Sequence, residues 1–92
     1  MTAKGPNREF PQFIQGVGQR LEYYRDVAKL TLNELAAISG VDRTTIRAIE
    51  LGRRNPSMKL VWRLAQSLGV EFKDLIPPPH VDVRGGRGDR AS

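Results

Sequence analysis

Thr31-Leu32-Asn33-Glu34-Leu35-Ala36-Ala37-Ile38-Ser39-Gly40-Val41-Asp42-Arg43-Thr44-Thr45-Ile46-Arg47-Ala48-Ile49-Glu50-Leu51 is the stretch on which the reading of this 92-residue chain turns. Thr31 and Glu34 stand three apart, as a capping box requires: hydroxyl and carboxylate each satisfy a backbone donor at a helix start. Leu35, Ala36 and Ile38 are the inward positions of that helix. Ser39-Gly40 ends it, because glycine takes the left-handed conformation that closes a helix C-terminus. Asp42 suits an N-cap, and Ile46 and Ile49 give the next helix, about Arg43 to Leu51, one apolar stripe. The stretch thus predicts two short helices joined by a turn of three or four residues. Ala36 is small where the two must cross closely, and Arg43, Thr44, Arg47, Ala48 and Leu51 share the opposite, outward side.

Upstream, Phe13, Val17, Leu21, Tyr24 and Ala28 recur at three- and four-residue steps and predict a first helix over Gln12 to Ala28. Glu22, Arg25, Asp26 and Lys29 occupy its other face, and Gly16 and Gly18 weaken its first turns. Downstream of the basic turn Arg53-Arg54-Asn55-Pro56, Ser57 caps a fourth helix carrying Leu60, Val61, Leu64, Ala65 and Leu68 inward as far as Gly69. A brief fifth helix, Glu71 to Ile76, runs into Pro77, Pro78 and Pro79, which cannot continue it. No segment alternates like a strand. The expectation is an all-α, compact five-helix bundle over residues 12–78, with a flexible N-terminal arm over 1–11 and a disordered Gly/Arg-rich tail over 79–92. Trp62, Tyr23 and Tyr24 offer a base-stacking platform, but their helical spacing assigns them to the core or its rim. A core this small gains from a second copy, so a homodimer is expected, with Phe72, Leu75 and Ile76 as its candidate face.

Composition removes whole classes of function. There is no cysteine, and His80 is the single histidine, so thiolate metal sites, cysteine nucleophiles and a histidine-based triad are excluded; neither metal nor cofactor is expected. No apolar run is long enough to cross a bilayer and the first residues lack a signal-peptide core, which predicts a cytoplasmic protein without membrane association. The net charge of +5 is concentrated. From Arg43 to Arg63 lie six basic residues against Glu50 alone, while the rest of the chain balances nine against nine. That is the footprint of a surface facing phosphates, or else a solvated basic face.

The sequence resembles the Cro and phage-repressor family of helix-turn-helix domains, also called lambda-repressor-like or xenobiotic-response-element type. The likeness covers about Val17 to Ile76. It is carried by Leu30 to Ala36, Ser39-Gly40-Val41, Thr45 to Gly52, Asn55-Pro56-Ser57, Leu64-Ala65 and Leu68-Gly69-Val70. The resemblance implies a bundle of about five helices whose third helix enters the DNA major groove, usually with two copies on a pseudo-palindromic site. On that basis the base-reading candidates are Arg43, Thr44, Arg47 and Ala48. Arg43 presents a planar fork for guanine O6 and N7, Thr44 a hydroxyl and a methyl, and Ala48 room for a thymine methyl; Arg47 reaches either a base or a flanking phosphate. Thr31, Thr45, Arg53, Arg54, Asn55 and Lys59 are the phosphate candidates, joined by helix-start amides near Thr31, Thr44 and Met58. Thr45 serves equally as a support for its helix. Arg25 and Glu50 are expected to form a structural ion pair between helices 1 and 3.

The chain departs from the family in one place. Members commonly carry Gln after the residue that starts the second helix, where it bonds a phosphate; here Leu32 stands there, free to pack on helix 1 or a partner. The function implied is a sequence-specific, double-stranded-DNA-binding transcriptional regulator, not an enzyme, with double-stranded DNA as its partner. Alternatives are a restriction-modification controller, an antitoxin that inhibits a toxin and regulates its own operon, or a bridging module contacting a protein such as RNA polymerase. In the tail, Arg84-Gly85-Gly86-Arg87 resembles nucleic-acid-binding disordered segments, and Arg87-Gly88-Asp89 an adhesion tripeptide.

Overall fold

A computed structural model describes residues 4–78; His80 and the tail motifs lie outside the described residues. Four α-helices follow in order: α1 (Lys4–Val27), α2 (Leu32–Ser39), α3 (Arg43–Glu50) and α4 (Met58–Leu68), with a 3-10 turn at Phe72–Leu75. Among the described residues there is no strand, and no helix is long and apolar enough to cross a membrane.

Local chemistry accounts for most boundaries. The Thr31 hydroxyl accepts from the Glu34 amide at 3.0 Å while the Thr31 amide donates to Glu34 Oε1 at 2.8 Å, the reciprocal capping box. The Asp42 carboxylate accepts from the amides of Thr44 and Thr45, and Ser57 from that of Leu60. At the other ends the chain turns left-handed at Gly40 and Gly69. Lys29 closes α1 in the same conformation, at φ 60°, although it carries a side chain.

Two expected boundaries are corrected. The first helix begins at Lys4, not Gln12, and so takes in residues 4–11 of the segment expected to be an arm. Pro6 falls in the first turn, where backbone N–H groups have no helical partner to lose, and Pro11 forfeits a single bond in a helix anchored further on by Ile14, Val17 and Leu21. The expected fifth helix is only the 3-10 turn. Ile76 precedes Pro77, whose ring drives it to extended backbone (φ −104°, ψ 114°), leaving room for one turn.

The core is Leu21, Leu35, Val41, Ile46, Ile49, Val61, Leu64, Ala65 and Leu75, with every helix contributing. Leu75 was expected on a dimer face; it is 1% exposed because the 3-10 turn packs on α1 and α4, so it is corrected to a core residue. Three further inward assignments are corrected: Ile38, Tyr23 and Trp62 are 56%, 60% and 53% exposed. Ile38 stands about 60° round α2 from Leu35 and Trp62 about 60° round α4 from Ala65, at the edges of the buried stripes, and Tyr23 sits two residues, or about 200°, from Leu21. Tyr24 does pack against the core, edge-on to Tyr23. Ala28, just past the end of α1, is exposed.

Candidate nucleic-acid interface

What aims α3 outward is its seating on α1. Gly18 is buried at the crossing: a Cβ there would overlap the carbonyl oxygen of Ile49 and stand 2.7 Å from that of Glu50. The missing side chain lets the end of α3 lie directly on α1. The chain then leaves α3 through a Schellman turn, with Gly52 at φ 73°, its amide bonded to Ile49 O and the Arg53 amide to Ala48 O at 2.9 Å. Arg53 is thereby held close behind the helix.

Electrostatics fasten the same seam. The Glu50 side chain is wholly buried, and a carboxylate removed from water needs charged partners. Arg25 supplies a two-pronged contact, Nε to Oε2 at 2.6 Å and Nη2 to Oε1 at 3.1 Å, and its Nη1 donates to Leu30 O. The bond to Glu50 raises the Arg25 pKa above its already high ordinary value, against the opposing effect of burial, so Arg25 stays charged wherever the protein folds. Arg47 completes the group: Nη1 reaches Glu50 Oε1 at 3.0 Å and Glu22 Oε2 at 3.5 Å. Arg20, on α1, donates to Asp74 O at 3.0 Å and ties the C-terminal turn to the bundle.

On the outward side, Arg43 and Thr44 are exposed in the first turn of α3, Ala48 is half-buried, and Leu51 closes the helix 42% exposed. Arg53, Arg54 and Asn55 are exposed in the following loop, and Lys59 and Arg63 on α4. Among the described residues, Arg43, Arg53, Arg54, Lys59 and Arg63 have no ion-pair partner, whereas Arg47 has two. Thr31 is exposed and Thr45 half-buried. The amides of Thr44 and Thr45 are not open to a phosphate, since Asp42 already accepts from both. Leu32 packs against the core cluster, which is what replaces the family's Gln here.

Sequence reasoning missed two contributors, Gly18 and Glu22. Gly18 reads only as a weak helix former until its partner is known and Glu22 looks like an ordinary solvent-facing acid; neither has a local signal, because each acts across α1 and α3, whereas Arg47 and Glu50 stand three apart on one helix, a spacing at which side chains pair. Met58, Lys59, Trp62 and Phe72 line an apolar groove, with Met58 76% exposed.

A helix-turn-helix family model matches residues 21–75, more than half of the chain. An HTH-type transcriptional regulator of Methanocaldococcus jannaschii, itself uncharacterised, is 45% identical over 56 residues, covering 61% of this chain and 85% of that protein. The transcriptional repressor RghR of Bacillus subtilis is 34% identical over 64 residues, 68% of this chain and 47% of its own length. Among solved structures, the restriction-modification controller protein C.AhdI of Aeromonas hydrophila superposes with a TM-score of 0.66 at 35% identity, covering 68% of this chain and 96% of that one. A hypothetical transcription factor from Neisseria gives 0.67 at 30% identity, over 75% of this chain and 80% of its own. The helical order, the capped turn between α2 and α3 and this match agree: the chain belongs to the helix-turn-helix family of the Cro and phage-repressor type that its motifs resemble.

Proposed function

We propose that this protein is a sequence-specific, double-stranded-DNA-binding transcriptional regulator that lays α3 in the major groove and occupies a pseudo-palindromic operator as a homodimer. The observation that carries this reading is the outward face of α3. Its exposed Arg43 and Thr44 lie in the first turn, no acidic partner for Arg43 is found among the described residues, and Arg53 and Arg54 follow directly behind. Arg43 is the leading base reader, with Thr44 and Ala48 beside it. Arg53, Arg54, Asn55 and Lys59, with the hydroxyls of Thr31 and Thr45, contact phosphates and set affinity without reading sequence. Residues 12–78 form the DNA-binding unit. The names of the relatives, regulators and a repressor, support the same class.

The dimer is proposed through the apolar groove of Met58, Trp62 and Phe72, continued by half-buried Ile76. A second copy fits it better than solvent does, since exposed Met and Trp side chains side by side leave a contiguous apolar area in water. Trp62→Ser is expected to shift the sedimentation coefficient toward that of a monomer; an unchanged value would place the interface elsewhere.

Selection of bound sites from random duplex DNA tests the main reading. A two-fold-symmetric site is expected, with log affinity falling by about 0.9 per log unit of salt for each phosphate neutralised, and Arg43→Ala costing about 1–3 kcal/mol on the selected site. Enrichment of no motif, or full binding by Arg43→Ala, overturns it. The likeness to C.AhdI supports a narrower form, a restriction-modification controller. That form requires the selected operator to lie beside a methyltransferase or endonuclease gene.

A further inference from the structure

Arg47 sits on the arc of α3 that the DNA-reading proposal aims at the groove, yet its guanidinium is turned back toward α1. Nη1 lies 3.0 Å from Glu50 Oε1 and 3.5 Å from Glu22 Oε2. Glu50 belongs to the buried pair with Arg25, so Arg25, Glu50, Arg47 and Glu22 form a chain of alternating charge across the α1–α3 seam, and the four sum to zero. Moving Arg47 out to a phosphate would break a charge-assisted bond to a carboxylate that water does not reach and leave Glu22 unpaired. Keeping it in place leaves both acids matched.

We infer that Arg47 is a positioning residue, held by Glu50 on its own helix and by Glu22 across the seam, that helps fix the rotation of α3 on α1 and contacts neither base nor phosphate. This rests on the proposed groove reading by α3 and assigns the specificity of that site to Arg43, Thr44 and Ala48. Glu22 and Arg47 are each about two-fifths exposed, so their mutual attraction is modest; the bond to buried Glu50 gives Arg47 its fixed direction.

The salt slope separates positioning from contact, because a residue that only orients the helix leaves the number of released counterions unchanged. Arg47→Gln is expected to weaken binding to the selected operator and to single-base variants of it by the same factor, with the wild-type slope. Glu22→Gln leaves the bond to Glu50 in place, so Arg47 is expected to stay off the backbone and the slope to keep its wild-type value; a slope steeper by about 0.9 per copy would overturn the hold by Glu50. A slope shallower by that amount in Arg47→Gln, or a loss of preference confined to one base pair, overturns the inference.

A second arm needs no DNA. In a double-mutant cycle by urea unfolding, Glu22→Gln and Arg47→Gln are expected to be coupled by about two- to five-fold in the unfolding constant. Independent effects overturn the inference. If the wild type selects no motif, or Arg43→Ala reads the operator unimpaired, the groove reading itself has failed, and the coupling still decides whether Arg47 is held by Glu22.

Discussion

Adding one methyl group at Gly18 tests the account of how α3 is seated. A Cβ there overlaps the Ile49 carbonyl oxygen and falls 2.7 and 2.9 Å from Glu50 O and C, all of them backbone atoms that no rotamer change can move. Gly18→Ala must therefore push the C-terminal end of α3 off α1. Overpacking of this kind costs about 3 kcal/mol, at the upper end of the usual range, while alanine in a helix interior returns about 1 kcal/mol relative to glycine, for a net loss of about 2 kcal/mol. With a urea slope of about 1 kcal/mol per molar for so small a domain, the unfolding midpoint followed by circular dichroism should fall by about 2 M. Gly16→Ala is the control. Its Cβ would meet only the ring of Pro77, at 2.9 Å from Cγ, and a shift of a few tenths of an ångström relieves that contact. Gly16→Ala should stay within about 1 kcal/mol of wild type. A Gly18→Ala midpoint equal to or above that of Gly16→Ala would show that α1 and α3 do not need their close approach.

Three further substitutions bear on the same frame. Arg25→Ala leaves the buried Glu50 carboxylate with Arg47 alone and should lower stability by about 3 kcal/mol, much of it recovered when Glu50→Leu is added; an equal loss in the double variant would show that the site depends on the charges themselves. Asp42→Ala exposes the amides of Thr44 and Thr45 and should cost about 1 kcal/mol of stability, with faster amide hydrogen exchange confined to the first turn of α3; uniform exchange throughout the bundle would contradict a local cap. Lys29→Gly relieves a side chain from left-handed backbone and should raise the unfolding midpoint or leave it unchanged, so a clear fall would show that Lys29 contributes more than its conformation.

The features legible in the sequence are those whose physics is local. A capping box, the Asp42 and Ser57 caps and the glycines at 40 and 69 each act within four residues, so the order of helices and the turn between α2 and α3 follow from spacing alone. What was not legible depends on neighbours distant in sequence. Pro11 reads as a breaker until the packing that follows it is known, and Leu75 reads as a surface residue until the turn that carries it is seen folded onto α4. Trp62 and Tyr23 were misplaced for a different reason: helical spacing assigns them to the core or its rim, but the stripes of α4 and α1 are already filled by smaller side chains.

The charge window shows how far counting goes and where it stops. Six basic residues against one acid locate the cationic region, but counting treats Arg47 as equivalent to Arg43, and the fold does not. Once the four-charge seam is set aside as neutral, the cations of that window without an ion pair among the described residues are Arg43 at the start of α3, Arg53 and Arg54 directly after its end, and Lys59 and Arg63 on α4. The helix between them is eight residues, about 12 Å long, and its outward middle holds Ala48 and no free charge. Such a surface attracts a polyanion at both ends of the helix and leaves the centre to contact shape and methyl groups. The proposed groove reading needs a helix that does not rotate, since the side chains proposed to read and those proposed to anchor keep their spacing only on a fixed helix. The Gly18 crossing and the buried Glu50 carboxylate supply that rigidity from opposite kinds of force, close packing and charge, which is why perturbing either is predicted to disturb a face that neither touches.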